Sequence, residues 1–550
     1  MKSLIILCVT VILFLPGCTL NIQAEQEIFI RANQVGFLPG DIKSCVVLSS
    51  NNLEGENVEI INTKTNETGF ETTIKNNNGS YGSFRYTYRI DFSQLKEDGE
   101  YVIEIGKNRS YTFTIGKKVY NDLAKTLLDF LKVQRCGYTN PYLHNVCHIS
   151  DATAIIENGI TSQNKIDVTG GWHDAGDYVK FLNTTAYATY MLLFAYEFDP
   201  HRFGFDTDKN NVADILEEAK VGVDWMLRVA YKKNKFVTQV QDLRDHEVGW
   251  RLPEEDPLTF DRPAFVGVGK NIIGIYTATM ALASRIWKDV LNYPEYADQC
   301  RLTAENFYSV YNSVPDIDKS GNGLYTDKNY EGKLALGAVE LYKLTNKKKY
   351  LTEAMVLADS AGSDYWWSWG DINSLAHYRL AHYDIKYADY IKNNLDVFNK
   401  KKDDNTFGKG AELSWGTNNV LLGITLQKIL WDKLKNNNSY DSLAVYQRDY
   451  ILGRNPWGIS FIYNVGDNYT ENFHHQISHL KKKLPGGFAA GPATKEFLKG
   501  YSIEYESPDK YSRFQTDDDY YRDDRMDYIT NEPTITANAT AIFVFGCLSN

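Results

Sequence analysis

From residue 29 to about residue 115 the chain alternates apolar and polar positions. Ser83-Phe84-Arg85-Tyr86-Thr87-Tyr88-Arg89-Ile90 repeats every second residue, as a strand with one covered face does, and Tyr101-Val102-Ile103-Glu104-Ile105 and the stretch 111–115 follow as further strands. Asp98-Gly99 marks a turn. Several short strands in a row predict an immunoglobulin-like β-sandwich over 27–116. After Gly116 the period becomes helical, with apolar spacings such as Leu216, Ala219, Val223 and Met226. Helical stretches at 121–134, 185–198, 277–288, 302–314, 351–361, 419–433 and 539–547 suggest about a dozen helices over 117–550. Long, aromatic, glycine-rich loops join them. They do not suit a simple bundle, and loops of that length usually carry function.

The first residues follow neither pattern. Lys2 precedes an apolar run from Leu4 to Leu15 that is too short to span a bilayer, so 1–17 reads as an export signal peptide. Leu15-Pro16-Gly17-Cys18 resembles a bacterial lipobox, which implies cleavage before Cys18 and lipidation of that residue. The expectation is an exported lipoprotein, membrane-anchored through its lipid alone, on the periplasmic or cell-surface face of an outer membrane; Thr19 after the cysteine is compatible with that sorting.

Charge then narrows the ligand. A formal net charge of −11, with no clustered excess of Lys and Arg, excludes a nucleic-acid partner and leaves a neutral or cationic ligand. Aromatic residues make up 13% of the chain, which suits stacking on sugar faces as well as core packing. With Cys8 in the signal and Cys18 assigned to lipid, the odd set Cys45, Cys136, Cys147, Cys300 and Cys547 does not form a disulfide framework.

The candidate chemistry lies at two places. Gly170-Gly171-Trp172-His173-Asp174-Ala175-Gly176-Asp177-Tyr178 sets two carboxylates three apart among glycines and aromatics, a plausible water-activating pair. Taken alone, the same spacing suits a turn or a calcium ligand set. Near the other end, Tyr521, Asp523, Tyr528, Glu532, Thr534 and Asn538 place one carboxyl among aromatics just before an apolar helix. Such surroundings raise a carboxyl pKa, which makes Glu532 a credible proton donor. Cys136, Cys147, His148 and His173 could complete a tetrahedral zinc shell, although cysteines of this kind also serve as ordinary core residues.

At these residues the chain resembles the family 9 glycoside hydrolases, a group with many cellulases. Ile30-Arg31-Ala32-Asn33-Gln34-Val35-Gly36-Phe37-Leu38-Pro39 is similar to the opening of the immunoglobulin-like module of one branch; the 170–181 stretch resembles the base motif, and the segment ending in Asn531-Glu532 the acid motif. Asp245-His246, Trp250 with Pro253-Glu254, Arg262-Pro263, Trp369-Gly370-Asp371, Trp415-Gly416-Thr417-Asn418 and Leu452-Gly453-Arg454-Asn455-Pro456 are similar to internal landmarks. The resemblance implies an all-α (α/α)6 barrel after the sandwich and hydrolysis with inversion. Asp177 would be the general base, Asp174 would help hold the water, and Glu532 would be the general acid. It also implies a structural zinc on Cys136, Cys147, His148 and His173, bracing the base loop, and calcium at ligands that the sequence does not identify.

Substrate contacts are expected from Trp172, Trp369, Trp415, His474, His475, Gln476 and Tyr528, with Trp366, Trp367 and Trp457 as further stacking platforms, not all of which face the cleft. One departure bears on the substrate. After its paired histidines the family usually has an arginine, whereas this chain reads His474-His475-Gln476, and Lys481-Lys482-Lys483 follows. A neutral amide in place of a fixed cation changes which sugar groups are accepted. The leading expectation is a monomeric hydrolase, endo-acting on a β-1,4-glucan or related polysaccharide. The alternatives are a different β-glycan (amino-sugar, branched or bacterial surface polysaccharide), or a lipid-anchored glycan-binding protein without activity.

Overall fold

The computed structural model describes residues 27–256, 262–322, 325 and 327–550; the signal segment and Cys18 lie outside the described residues. Among the described residues no helix is long and apolar enough to cross a membrane.

The N-terminal unit is a two-sheet sandwich. In one sheet Ser44–Ser49 lies between Ile28–Arg31 and Tyr86–Asp91, antiparallel to both. In the other the order is Gly36–Phe37, Phe113–Ile115, Gly99–Ile105, Asn57–Asn62, Thr68–Thr73, with Asn108–Arg109 paired beside Gly99–Ile105. Ser44–Ser49 is buried on both faces. Cys45 and Val47 enter the sandwich core, while Val46 and Leu48 enter the core of the helical domain. That is why this strand reads as a continuous apolar run where its neighbours alternate.

The opening motif clasps the two units together. Gln34 donates to the Gly458 carbonyl (2.9 Å) and accepts from the backbone N–H groups of Asp467 and Asn468 (3.0 and 2.8 Å). Asn33 donates to Asp449 (2.8 Å), Arg31 to the Pro456 carbonyl (2.9 Å), and Arg448 to Asp41 (2.8 Å). The 30–39 and 452–456 landmarks are therefore partners in one interdomain seam.

Twelve helices of nine residues or more frame the second unit among the described residues. Six form an inner ring that closes on itself: Leu182–Phe198, Lys270–Asp289, Glu331–Thr345, Asn373–Ala381, Thr417–Lys435 and Ile535–Leu548. Leu123–Gln134, Asp214–Val229, Pro294–Tyr308, Lys348–Ala361, Ala388–Asp403 and Asp441–Ile451 pack outside them. This is an (α/α)6 barrel. The extremes of the two rings differ in sequence. Asp214–Val229 carries one apolar stripe, whereas Ile535–Leu548 is buried from Ile535 to Cys547 and is apolar around its whole circumference.

A small sheet interrupts the all-helical expectation. Its order is Ile160–Ser162, Ala154–Glu157, Pro263–Gly267, Phe236–Val240, Lys180–Phe181. Strands of two to five residues offer too little alternation to stand out from loop sequence.

Candidate active site

The loops that precede the inner helices gather at one end of the barrel and line a cavity of about 750 Å³. Residues 174–177 and 181 come from the loop before Leu182–Phe198, Trp366 to Trp369 from the loop before Asn373–Ala381, Trp415 and Gly416 from the loop before Thr417–Lys435, and Glu532 and Thr534 from the loop before Ile535–Leu548. The N-termini of these inner helices thus point at the site, which favours negative charge there.

Three loops are tied together by their backbones. Asp174 O accepts from Ile535 N (3.0 Å), Gly176 O from Gln476 N (3.0 Å), and Asn531 O from His474 N (3.2 Å). Glycine makes the crossing possible: a Cβ on Gly176 would lie 2.2 Å from the His474 carbonyl oxygen. The carboxyls are held at this crossing. Glu532 Oε1 accepts from Gly176 N–H at 3.1 Å, one residue from Asp177. Enclosure pushes the Glu532 carboxyl from 4.5 up to about 8, and the negative charge of Asp177 adds to the rise. Asp177 accepts from His246 Nε2 at 2.6 Å and from Val179 N–H at 3.2 Å. Bonding to Asp177 raises the imidazole of His246 to about 9, so the two form an ion pair. Asp174 accepts from the Thr184 hydroxyl. Burial pushes Asp174 up to about 7, partly offset by the hydroxyls of Thr184 and Tyr325.

All three catalytic candidates therefore share one cavity. Its walls are aromatic: Trp250, Trp366, Trp369, Trp415 and Tyr528 all line it, as do His474 and Gln476. Tyr325 stands edge-on to both Phe181 (4.8 Å) and Trp369 (5.6 Å). Gln476 is turned by its Oε1, which accepts from Arg251 N–H at 3.0 Å.

Several expected substrate contacts are structural instead. Trp172 is fully buried, donates its indole N–H to Glu218 (2.8 Å), and packs so tightly on Gly222 that a Cβ there would lie 2.6 Å from its ring; it anchors the base loop to the core. Trp457 is likewise buried, bonded to Gln515 (3.0 Å) and absent from the cavity wall. Trp367 borders the cavity, but its indole N–H is spent on the Tyr187 hydroxyl (3.1 Å). His475 faces inward. Its Nδ1 accepts from Ile477 and Ser478 N–H, capping Gln476–Lys481, and its Nε2 meets Gln134 Oε1 at 2.7 Å. Gln134 in turn donates to the carbonyls of His173 and Ala175, so His475 positions the base loop and does not touch the cavity. Sequence reasoning assigned no role to Tyr325 or Thr184. It took Asp245-His246 and Trp250 only as landmarks, although His246 and Trp250 face the site.

Beside the base loop, one ligand atom each from Cys136, Cys147, His148 and His173 lies within 4.8 Å of the others. His173 Nε2 and His148 Nδ1 are 3.1 Å apart, and Cys136 Sγ is 3.7 Å from His148 Nδ1. All five described cysteines are free of disulfides, so both thiols can ligate. His148 gives its other nitrogen to Asp256 (2.9 Å), the outer partner that fixes a metal-binding imidazole. Two sulfurs and two imidazole nitrogens, enclosed and outwardly tethered, fit a tetrahedral soft-ligand metal. Asp206, Asp208 and Asp214 also come together, but Asp206 already accepts from the N–H groups of Asn210 and Asn211, and Asp214 from the Thr207 N–H and hydroxyl.

Comparison with known proteins agrees with this arrangement. The chain is 24% identical over 521 residues to endoglucanase D of Acetivibrio thermocellus, covering 87% of this chain and 80% of the relative. It is 24% identical over 585 residues to a xyloglucan-specific endo-beta-1,4-glucanase of Bacteroides ovatus, covering 96% and 94%. The crystal structure of a metagenome-derived glycoside hydrolase family 9 endoglucanase superposes with a TM-score of 0.82 at 24% identity, covering 95% of this chain and 99% of that one. Residues 25–110 match the cellulase N-terminal ig-like domain. Since residues 120–545, which hold all but the last turn of the barrel and all three carboxyls, match glycosyl hydrolase family 9, the chain belongs to that family of glycoside hydrolases.

Proposed function

We propose that the protein hydrolyses the backbone of a β-1,4-linked glucan, endo-acting and with inversion at the anomeric carbon. The carrying observation is that Asp177, ion-paired with His246, and Glu532, pushed up to about 8, line one aromatic cavity. Glu532 gives its proton to the glycosidic oxygen as that carbon–oxygen bond breaks. Asp177 takes a proton from a water whose oxygen attacks the anomeric carbon from the opposite face, and Asp174 helps hold that water. An inverting pair of carboxyls stands about 6.5–9.5 Å apart so that the water fits between. The products are an alcohol on one fragment and an inverted hemiacetal on the other, and solvent returns the proton from Asp177 to Glu532. Proton NMR of the fresh reducing end tests the reading: the α-anomer should appear first. Initial release of the β-anomer, or turnover that survives Asp177→Asn, refutes it.

The metal is zinc in this proposal, held by Cys136, Cys147, His148 and His173. With four protein ligands it has no open position, and its role is to brace the base loop through His173, next to Asp174. The proposed setting is a lipid anchor at Cys18 on the outside of the cell, where polymeric glycan is met.

A further inference from the structure

A second cavity, about 240 Å³, lies against the first and has no part in the chemistry above. The two share a partition. His474, Gln476 and Met526 line the catalytic cavity, while their chain neighbours Phe473, His479 and Arg525 line the second. Gln476 and His479 stand one turn apart on Gln476–Lys481, Gln476 lining the first cavity and His479 the second. Trp250, a wall of the first, stacks on His479 of the second at 4.6 Å and 9°.

The second cavity is rich in donors. Arg525 sends Nη1 toward His479 Nδ1 (3.2 Å) and Nη2 toward Asn472 Oδ1 (3.4 Å). His479 therefore accepts at Nδ1 and carries its proton on Nε2. Burial holds this imidazole below its usual pKa, and the charges of Arg525 and Lys482 add to that. Lys482, at φ +56°, ends the helix and contributes its side chain to the wall. Among the described residues Lys481, Lys482 and Lys483 form no ion pair, in a chain whose net charge is −11. The opposing charges are Glu471 on the rim and Glu506, which pairs with Arg525 Nε (3.2 Å); both are exposed. Asp523 is spent on the N–H groups of Glu471 and Asn472 and on Lys510. Tyr463 and Tyr469 supply edge-on aromatic walls, 5.5 Å apart.

We infer that this cavity binds a carboxylate-bearing sugar branch on the β-glycan whose backbone occupies the catalytic cavity. The inference rests on the glycoside hydrolase reading above and names the substrate class within it. A neutral branch would leave the Lys482 ammonium without an ion-pair partner, whereas a uronic acid brings a carboxylate to it and to the free donors of Arg525, whose Nε already pairs with Glu506.

The test uses three probes: an unbranched β-1,4-gluco-oligosaccharide, the same backbone carrying one glucuronic acid branch, and the methyl ester of that branched compound. At low salt the enzyme should cleave the acid about tenfold faster than the ester in kcat/KM, a preference that shrinks as salt screens it. Lys482→Asn, which suits the left-handed backbone and removes the charge, should cut the acid-to-ester ratio to about twofold or less; Lys482→Arg should keep it. Equal rates on acid and ester with normal cleavage of the unbranched chain overturn the branch site and leave the hydrolase reading intact. So does a preference that Lys482→Asn does not change. Failure to cleave any of the three overturns the β-glucan reading, and the branch site with it.

Discussion

Replacing Glu532 with glutamine should abolish turnover and, at neutral pH, make the protein more stable. In the native state this carboxyl holds its proton up to about pH 8, against 4.5 for an unperturbed glutamate. Between those values the folded protein retains a proton that the unfolded chain has released. Stability tied to Glu532 is therefore fully present below 4.5 and is lost as pH rises through about 8. At pH 7.5 the cost is roughly 1.4 kcal/mol for each of three pH units, or about 4 kcal/mol, and partial access to the cavity reduces it to about 2–4 kcal/mol. Glutamine has no proton to retain, and its carbonyl can still accept from Gly176 N–H as Glu532 Oε1 does at 3.1 Å. A chain this long shifts by about 1–2 °C per kcal/mol, so Glu532→Gln should melt about 2–8 °C higher at pH 7.5 and within about 1 °C of the parent at pH 4.5. Differential scanning calorimetry of both proteins across that range is the assay, with kcat measured alongside. A difference that does not vary with pH, or a variant that melts lower at pH 7.5, would refute the link between this carboxyl's enclosure and its role as acid.

Other consequences follow from the same geometry. In the unmodified enzyme kcat/KM should fall about tenfold per pH unit above about pH 8, where Glu532 loses its proton, and a plateau to pH 10 would exclude it as the acid. Elemental analysis should find one zinc per chain; Cys147→Ser should lose it, lower the melting temperature by several degrees and reduce kcat more than it raises KM, because the base loop slackens. Gln476→Arg should change the ratio of activities on plain and branched glucans by at least about threefold, whereas an unchanged ratio would mean that the residue does not set specificity. Cys18→Ala should move the protein from the membrane fraction to the soluble one, and retention in the membrane would contradict lipid anchoring.

How much of this was legible in the sequence depended on what each residue touches. Asp174, Asp177 and Glu532 stood out as candidates because glycines and aromatics surround them in short continuous stretches, and the family resemblance supplied their expected roles, as it did for Cys136, Cys147, His148 and His173; the structure brings each set together. Trp172 and His475 were misplaced for the opposite reason. Each sits in a motif that also holds residues facing the cavity, and only the three-dimensional path shows that Trp172 turns to Glu218 and His475 to Gln134. Tyr325 acts from far along the chain, and Thr184, ten residues from Asp174, has nothing local to mark it. Boundaries are uneven in both rings: the apolar pattern predicts 185–198 for Leu182–Phe198, but 277–288 for Lys270–Asp289 and 302–314 for the outer Pro294–Tyr308, and it does not single out Ala388–Asp403 or Asp441–Ile451. The seam between the two units escaped because its partners lie about four hundred residues apart, as in the bond from Asn33 to Asp449 (2.8 Å).

That seam also bears on the chemistry. Gln34 fixes the backbone at 458 and 467–468, and the chain runs from there through Thr470, bonded to the Tyr521 hydroxyl at 2.8 Å, to His474 at the cavity wall. Tyr521 in turn donates to Asn531, the residue before Glu532, at 2.7 Å. On the other side the Cys136 to His173 cluster and Gln134 hold the loop that carries Asp174 and Asp177. The proposed base and acid are thus supported from different directions, one by the cysteine–histidine cluster and one by a chain of hydrogen bonds ending at the sandwich, and they meet where Gly176 touches Glu532. Their separation sets the room for the attacking water, so anything that loosens either support should lower kcat with little effect on the binding of distant sugar units. The sandwich then serves as a fixed buttress for the acid side of the cleft, and its own surface need not touch glycan.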